Sequence, residues 1–310
     1  MAKHKFSLVA CARWEEAAIL EWLDYHKSIG FDHVYLWSND DDPATLREAV
    51  APHLCGVDPF LTFNHWPARG KQGEIYERFV AEFAIETEWF CFLDIDEFLV
   101  LKGIDNIHRF MQPLENEFGC IYFNWLNYGP NGRPRREPGS VLLGHTRRSR
   151  SLDFHTKNII RSSLVTIAEI RAGNLAGALA YFHFWHDYKL AGLRIGDAAG
   201  EEIIDYTVDF PRAAHAFCHR PGYQERMLQV AYCAHFQFKS EEDFLRRVRR
   251  GSNSGEEHWE RMFLEGRHLA LLAAHDEVED TYLADYWAPR HRMLEVVRHA
   301  QLVAKQAGEL

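Results

Sequence analysis

WFCFLDIDEFLV, residues 89 to 100, decides how this chain is read. An apolar run enters, Asp94, Asp96 and Glu97 follow one another closely, and an apolar run leaves. A strand apolar on both faces is buried in a sheet, where a carboxylate is costly to desolvate unless it is paired or binds a cation. In an open parallel sheet, ligands gather at the carboxyl ends of the strands. The question is therefore whether the preceding residues build such a sheet.

They alternate two periodicities. FSLVACA (6–12), DHVYLWS (32–38), VDPFLTFN (57–64) and WFCFLD (89–94) read as strands. Between them, EEAAILEWLDYHKSIG (15–30) places Ile19, Trp22, Leu23, His26 and Ile29 at helical spacing and ends at Gly30. NDDDPATLREAV (39–50) opens a short helix with Asp42 as cap and Pro43 in the first turn. KQGEIYERFVAEFAIE (71–86) is amphipathic through Ile75, Phe79 and Phe83. This βαβαβαβ order predicts an α/β fold with a parallel sheet and helices on both faces. Beyond Asp105 the pattern changes. FGCIYFNWLNYG (118–129) is a strand, PNGRPRREPGS (130–140) a loop, and SVLLGHT, KNIIR, ALAYFHFW and VAYCAHFQF read as short strands among irregular connections. SEEDFLRRVRRG (240–251) is a helix capped at Ser240 with Asp243 at the third position, and the remainder is helical.

Composition bounds the function. With 310 residues, 47% of them hydrophobic, the chain can bury a large core. A formal charge of −10 excludes a general nucleic-acid binder, whose phosphate contacts require a basic surface. Cys11, Cys55, Cys91, Cys120, Cys218 and Cys233 are scattered without a CxxC pair, as free core thiols in a reducing compartment would be. KHKFSLVACA at the start imitates a signal peptide, but its apolar stretch before Cys11 is too short for a signal core, so a first strand is expected there. No run approaches the roughly 18 apolar residues of a membrane span, which leaves a soluble or at most peripheral chain.

A D-x-D turn at a strand end can hold a hard divalent ion through one or both carboxylates, leaving other positions for water and phosphates. Asp40 and Asp42 form a second D-x-D in a helix-capping segment, where a structural role suffices. Phosphatases of the haloacid dehalogenase type also end a strand in D-x-D, but they place a small hydroxyl residue where this chain has Phe98, and their motif opens the domain.

The spacing of several motifs resembles GT-A glycosyltransferases of the family 2 superfamily, in the branch close to family 92. That branch has C-A-R-N-E followed by E-W-L-x-Y-H-x-x-x-G-x-D-H, matched by CARWEE (11–16) and EWLDYHKSIGFDH (21–33). A Q precedes the helix leading to W-x-x-x-L-D-x-D-E-F, matched by Gln72 and WFCFLDIDEF. K-x-x-x-R and H-Y-x-x-K-S-x-x-E-F are matched by KNIIR (157–161) and HFQFKSEEDF (235–244). The family's Asn is Trp14 here, while Glu15 is kept.

The resemblance implies a GT-A fold: a Rossmann-like, mostly parallel central sheet with an irregular acceptor-side half and C-terminal helices. It divides the chain into a nucleotide-sugar half (1–127), an acceptor-side half (128–250) and a helical extension (251–310). It implies a metal-dependent, inverting transfer from a nucleotide-sugar donor, a UDP-sugar, to a glycan or lipid-linked acceptor at the cytoplasmic face. Asp96 would ligate Mn²⁺ or Mg²⁺, Asp94 would reach the ribose or the metal, and His235 would be a third ligand. Ala10, Arg13 and Glu15 would border the nucleotide, Asn39 and Asp40 would meet the base, and Lys71, Gln72, Lys157 and Arg161 would meet phosphates or acceptor. Asp187 is the expected general base, with Glu256 and Glu257 as alternatives. Trp125, Tyr128, Trp185 and Tyr188 are candidates for a sugar platform, and Arg133, Arg135, Arg136, Arg147, Arg148 and Arg150 for a patch facing an anionic acceptor. The rival reading is a GT-A domain that binds sugar or nucleotide without turnover, which Trp14 favours.

Overall fold

A computed structural model describes residues 2–68, 70–175, 183–185, 190, 192–206, 211–250 and 256–307. The strands are β1 (His4–Ala12), β2 (His33–Ser38), β3 (Leu61–His65), β4 (Thr87–Phe92), β5 (Glu97–Leu101), β6 (Cys120–Asn127), β7 (Arg147–Arg148), β8 (Thr156–Arg161), β9 (Ile195–Asp197), β10 (Ala231–His235) and β11 (Val278–Glu279). The helices are α1 (Ile19–Ser28), α2 (Ala44–Ala49), α3 (Gln72–Glu82), α4 (Ile107–Met111), α5 (Val141–Gly144), α6 (Ile167–Leu175), α7 (Arg212–Cys218), α8 (Tyr223–Val230), α9 (Glu241–Arg250), α10 (Glu256–Leu264), α11 (Arg267–His275) and α12 (Tyr282–Ala307).

The main sheet runs β3-β2-β1-β4-β8-β6-β10-β5, with β9 beside β6. The β1–β2, β2–β3, β1–β4, β6–β9 and β6–β10 pairs are parallel, whereas β8 is antiparallel to both its neighbours and β5 is antiparallel to β10. The result is a mixed α/β, mostly parallel sheet with C-terminal helices, as a GT-A type fold has. The connection from β4 to β5 shows that the sheet is curled. Three strands separate them in the sheet order, which on a flat sheet would mean about 19 Å. The linking residues 93–96 turn back on themselves, the Glu97 amide donating to the Asp94 carbonyl at 3.1 Å, so only a curled sheet brings the two ends together.

The first four strands and α1 to α3 follow the sequence pattern. Pro43, not Asp42, occupies the cap position of α2, with Asp42 one residue earlier accepting from the Ala44 amide at 2.9 Å, while Ser240 caps α9 by accepting from the Asp243 amide at 3.1 Å. Other segments differ from expectation. SVLLGHT forms the short helix α5, not a strand, because the Ser140 hydroxyl accepts from the Leu143 amide at 3.0 Å and starts a turn. The apolar run after Glu97 is a separate strand, β5, and residues 212–230 carry α7 and α8, not irregular connections. As the last strand in the order, β5 is covered by α1, whose Trp22 indole and Tyr25 hydroxyl donate to the Glu97 and Leu99 carbonyls at 2.8 and 2.9 Å. On the other side, α12 docks through Trp287, whose indole donates to Glu21 at 2.7 Å. A satellite core of Phe238, Phe244 and Leu272, with Trp259 and Phe263 against it, fixes α9 to α10 and α11.

All six cysteines are free, and four of them are buried. No helix among the described residues is long and apolar enough to cross a membrane.

Candidate active site

Strand direction assembles the site. The carboxyl ends of β1, β2, β4, β6 and β10 lie at one edge of the sheet, together with the amino ends of the antiparallel β5 and β8. That edge therefore holds Arg13, Asn39, Asp94, Asp96, Glu97, Asn127, Lys157 and His235, residues up to 222 positions apart in the chain.

The two aspartates of the motif have different fates. Asp94 accepts from the Gln72 amide at 2.9 Å through Oδ1 and from the Lys157 ammonium at 2.8 Å through Oδ2. Lys157 also meets Glu97 Oε2 at 3.1 Å, and the same oxygen accepts from the Asp94 amide at 2.9 Å. Lys157 and Glu97 are 1% and 0% exposed at their side chains. Burial pushes the Glu97 carboxyl well up, against the pull of Lys157. For Asp94 burial pushes the same way but is outweighed by Lys157 and Gln72, so its carboxyl is held below the usual range. The Lys157 ammonium is disfavoured by burial, but the two carboxylates more than offset this and hold it charged. Lys157 thus closes an internal triad, and Gln72 and Glu97 orient Asp94.

Asp96 faces the other way. Its carbonyl accepts from the Phe236 amide at 2.8 Å, pinning the turn to the end of β10, and its carboxylate lies 3.8 Å from His235 Nε2. This contact is not a charged pair: burial lowers the His235 pKa to about 4, although Asp96 opposes that shift. The ring's Nδ1 lies 3.1 Å from Asn127 Oδ1, which can only accept, so Nδ1 carries the proton. The Nε2 lone pair is left facing a carboxylate, an arrangement that suits a cation between them. Two donors each roughly 2.0 to 2.3 Å from one ion stand at most about 4.5 Å apart, and the observed gap lies within that limit. Asp96 and His235 therefore fit a divalent ion. The expected set of Asp94, Asp96 and His235 is not assembled, because Asp94 is engaged by Lys157 and Gln72; among the described residues no cluster of three metal-ligating side chains occurs.

The remaining candidates lie as follows. Ala10 is fully buried inside β1. Arg13 donates to the Asn39 carbonyl and to Asp41 at 3.1 Å. Asp40 accepts from the Trp14 amide at 2.9 Å, holding Trp14 in a left-handed conformation with φ of 59°. Asn39 is buried with no partner for Oδ1 among the described residues. Lys71 is exposed and paired with Glu74 at 2.7 Å. Arg161, at the far end of β8, stacks over Trp89 at 4.3 Å. Asp187 and Tyr188 lie outside the described residues. The arginines at 133–150 are largely tied internally: Arg148 to Asp280 at 2.7 Å, Arg147 to the Asp276 carbonyl at 2.8 Å, and Arg133 to the Gly144 carbonyl at 2.6 Å.

Asn127, Asp153 and His155 were not among the sequence candidates, yet they lie beside His235 and the expected platform residue Trp125. Asn127 links His235 to Asp153, its amide 3.4 Å from Asp153 Oδ2. Asp153 Oδ1 accepts from His155 Nδ1 at 2.7 Å, and both residues are about one-third exposed. Trp125 packs against His155 and His235, with ring centroids 5.1 and 4.1 Å away, and its indole N–H is buried without a partner among the described residues. A cleft opens beside Asp96, lined by Trp14, Glu15, Arg136, Lys239, Arg246 and Arg247 among others. Asp96 is pushed up by burial but pulled below the usual range by His235, Lys239 and Arg247.

With this geometry in place, comparison with known proteins finds a relative. The chain is similar to a glycosyltransferase. Over 195 residues it is 23% identical to a glycosyltransferase family 92 protein of Oryza sativa subsp. japonica, an overlap covering 62% of this chain and 32% of the rice protein. The chain thus matches about a third of that relative's length. No family model matches. Among solved structures, residues 1–349 of Staphylococcus aureus TarS align at a TM-score of 0.33 and 16% identity, over 52% of this chain and 48% of that one. HddC of Yersinia pseudotuberculosis aligns at 0.34 and 10%, over 69% and 99%.

Proposed function

We propose that the chain is a glycosyltransferase that moves a sugar from a nucleotide-sugar donor, a UDP-sugar, to a glycan or lipid-linked acceptor with inversion. The observation that carries the reading is Asp96 facing the unprotonated Nε2 of His235 across 3.8 Å, beside a cation-lined cleft at the carboxyl edge of the sheet. Asp96 and His235 would hold Mn²⁺ or Mg²⁺, and such an ion, when bound, neutralises charge on a departing diphosphate. Asn127 keeps His235 in the ligating tautomer through Nδ1. The Asp94–Lys157–Glu97 triad fixes the turn that presents Asp96.

Inversion needs a base for the acceptor hydroxyl. We take His155 as that base: Asp153 accepts from its Nδ1 at 2.7 Å, which fixes the orientation of the ring. The pair lies next to Trp125, whose ring centroid is 5.1 Å from that of His155.

The test is a thermal-shift panel of nucleoside diphosphates and UDP-sugars with and without Mn²⁺, followed by assays of sugar transfer and donor hydrolysis. Stabilisation by UDP that grows with Mn²⁺, and weakens roughly 10- to 100-fold in His235→Ala and Asp96→Asn, supports the reading. Binding of donor with no hydrolysis or transfer would favour a domain that binds without turnover. No response to any nucleotide would end both readings.

A further inference from the structure

The C-terminal end of α7 presents two imidazoles that none of the preceding chemistry uses. His215 lies within the helix and His219 closes it four positions later, so the two share one helix face. Both residues are exposed to solvent. Their rings stack with centroids 4.1 Å apart and planes inclined by 17°.

Local contacts hold the pair in place. His219 Nδ1 lies 2.8 Å from the His215 carbonyl, which can only accept, so Nδ1 carries the proton and the neutral ring keeps its lone pair on Nε2. The Phe154 ring meets His215 edge-on, with 6.4 Å between centroids. On the inner face of the same helix the Cys218 thiol lies 3.1 Å from the Tyr206 hydroxyl and 3.2 Å from the Asn124 amide, which anchors α7 against β6. Among the described residues neither histidine is paired with a carboxylate. The neighbouring cation, Arg220, is drawn aside: its guanidinium stacks on Phe217 at 3.6 Å and lies 4.0 Å from Glu201.

Two imidazoles held in this way can chelate an ion. Nitrogens each about 2.0 to 2.1 Å from one tetrahedral ion stand roughly 3.3 Å apart, a separation that exposed rings stacked at 4.1 Å reach by small side-chain rotations. Histidines four residues apart on one helix face are also the spacing by which helices hold zinc. The donor set selects the ion. Imidazole without carboxylate suits Zn²⁺, Ni²⁺ or Cu²⁺, whereas Mg²⁺ and Ca²⁺ take oxygen ligands.

We infer that His215 and His219 form a two-histidine site for a transition-metal dication, with Zn²⁺ the best match to its donors. No cluster of three metal-ligating side chains occurs among the described residues, so water fills the remaining positions and the ion stays exchangeable. The bound ion ties the last turn of α7 to the residue that ends it, and it stabilises the folded chain because an unfolded segment does not present the pair. This site uses neither Asp96 nor His235 and stands independently of the proposed function.

The experiment titrates Zn²⁺ by calorimetry into the full chain carrying Cys55→Ser, which removes the exposed thiol as a competing ligand. This parent should bind Zn²⁺ at least roughly tenfold more tightly than either His215→Gln or His219→Gln in the same background, since losing a ligand costs at least as much as losing the partner behind one. Both rings are exposed, so the metal-free variants should melt close to the parent, while the rise in melting temperature on adding Zn²⁺ should shrink in both. Excess Mg²⁺ should not compete. Asp96→Asn should retain the binding, which separates it from the ion site proposed above. Unchanged affinity in both histidine variants, loss in only one of them, displacement by Mg²⁺, or loss in Asp96→Asn would each overturn the site. Uptake of several ions with no dominant affinity would mark adventitious surface binding and overturn it as well.

Discussion

Replacing Lys157 with methionine isolates the charge at the heart of the turn. The side chain is 1% exposed and touches Asp94 at 2.8 Å and Glu97 at 3.1 Å. Methionine fills a similar volume, so the change removes charge more than packing. Breaking a buried ion pair from one side costs about 3 to 5 kcal/mol, because the abandoned charge stays buried. The lower end applies, since the Asp94 side chain is 36% exposed and can recover water, whereas Glu97 is 0% exposed and cannot. A loss of about 3 kcal/mol in a domain of this size corresponds to a fall of roughly 5 °C in melting temperature.

The sign of the pH dependence follows from Glu97. Its carboxyl is already pushed up by burial, and removal of Lys157 takes away the main opposing influence. A carboxyl whose folded pKa lies above its unfolded value costs stability above the folded pKa and costs nothing once pH falls below the unfolded value. The deficit of Lys157→Met should therefore be largest at alkaline pH and shrink toward acid. Urea denaturation across that range measures it, and the double variant Lys157→Met/Glu97→Gln should recover at least half the loss near neutrality. A neutral single variant, or a double variant no better than the single, would show that Lys157 is not a charge partner.

Three further outcomes follow from other parts of the molecule. Burial lowers the pKa of His26 and His183 to about 3 and of His33, His145 and His235 to about 4, so each is neutral when folded and takes a proton more readily when unfolded. Their stabilisation is present above the unfolded value near 6.5 and is lost as pH falls toward 4; the urea midpoint should drop between pH 6.5 and 5, and a flat profile there would contradict it. Trp14→Asn should keep or raise the melting temperature, because a left-handed φ of 59° costs a tryptophan roughly 1 to 2 kcal/mol and asparagine less; a fall of several degrees would show that the indole's packing dominates. Arg148→Ser should destabilise the chain by about 1 to 3 kcal/mol, since Arg148 pairs with Asp280 at 2.7 Å where both side chains are mostly buried, and an unchanged melting curve would return the 133–150 arginines to the role of a surface patch.

The first three βα units were legible because each strand is a buried apolar run and each helix carries an apolar stripe, two periods that a sequence displays directly. Strand order was not legible. A period of two says that KNIIR is a strand, but nothing in it says that β8 enters antiparallel between β4 and β6 and brings Lys157 to the carboxyl edge. A lysine in a strand reads as a solvated charge until the partners on either side are known. β5 was hidden for a related reason: its five residues continue the apolar run of β4, and only the turn at Asp94–Asp96 separates two strands that have three others between them in the sheet. His235 was expected at the site from its motif, and the curled sheet supplies the physical route by placing β10 beside both β5 and β6.

The D-x-D turn itself shows how neighbouring carboxylates acquire separate work. Ile95, between them, is 3% exposed and anchors the turn in the core, so the flanking aspartates are held by different elements: Asp94 by β8 and α3, Asp96 by β10. A cation cannot use both Asp94 oxygens without displacing the Lys157 ammonium, which is already its counter-charge. Of the two aspartates, Asp96 is thus the one that faces the cleft, whose other walls carry Glu15 and Asp243 as well as Lys239, Arg246 and Arg247. On that side Asp243 is engaged by Arg136 and Arg246 lies 3.9 Å from Glu16, so charges of both signs meet there. Attraction of this kind between separated charges is screened by salt over about 8 Å at physiological ionic strength, whereas the Asp94–Lys157 contact, buried and at 2.8 Å, is not. Raising salt should therefore leave the cost of Lys157→Met nearly unchanged, and a cost that fell steeply with salt would mean that the triad is open to solvent.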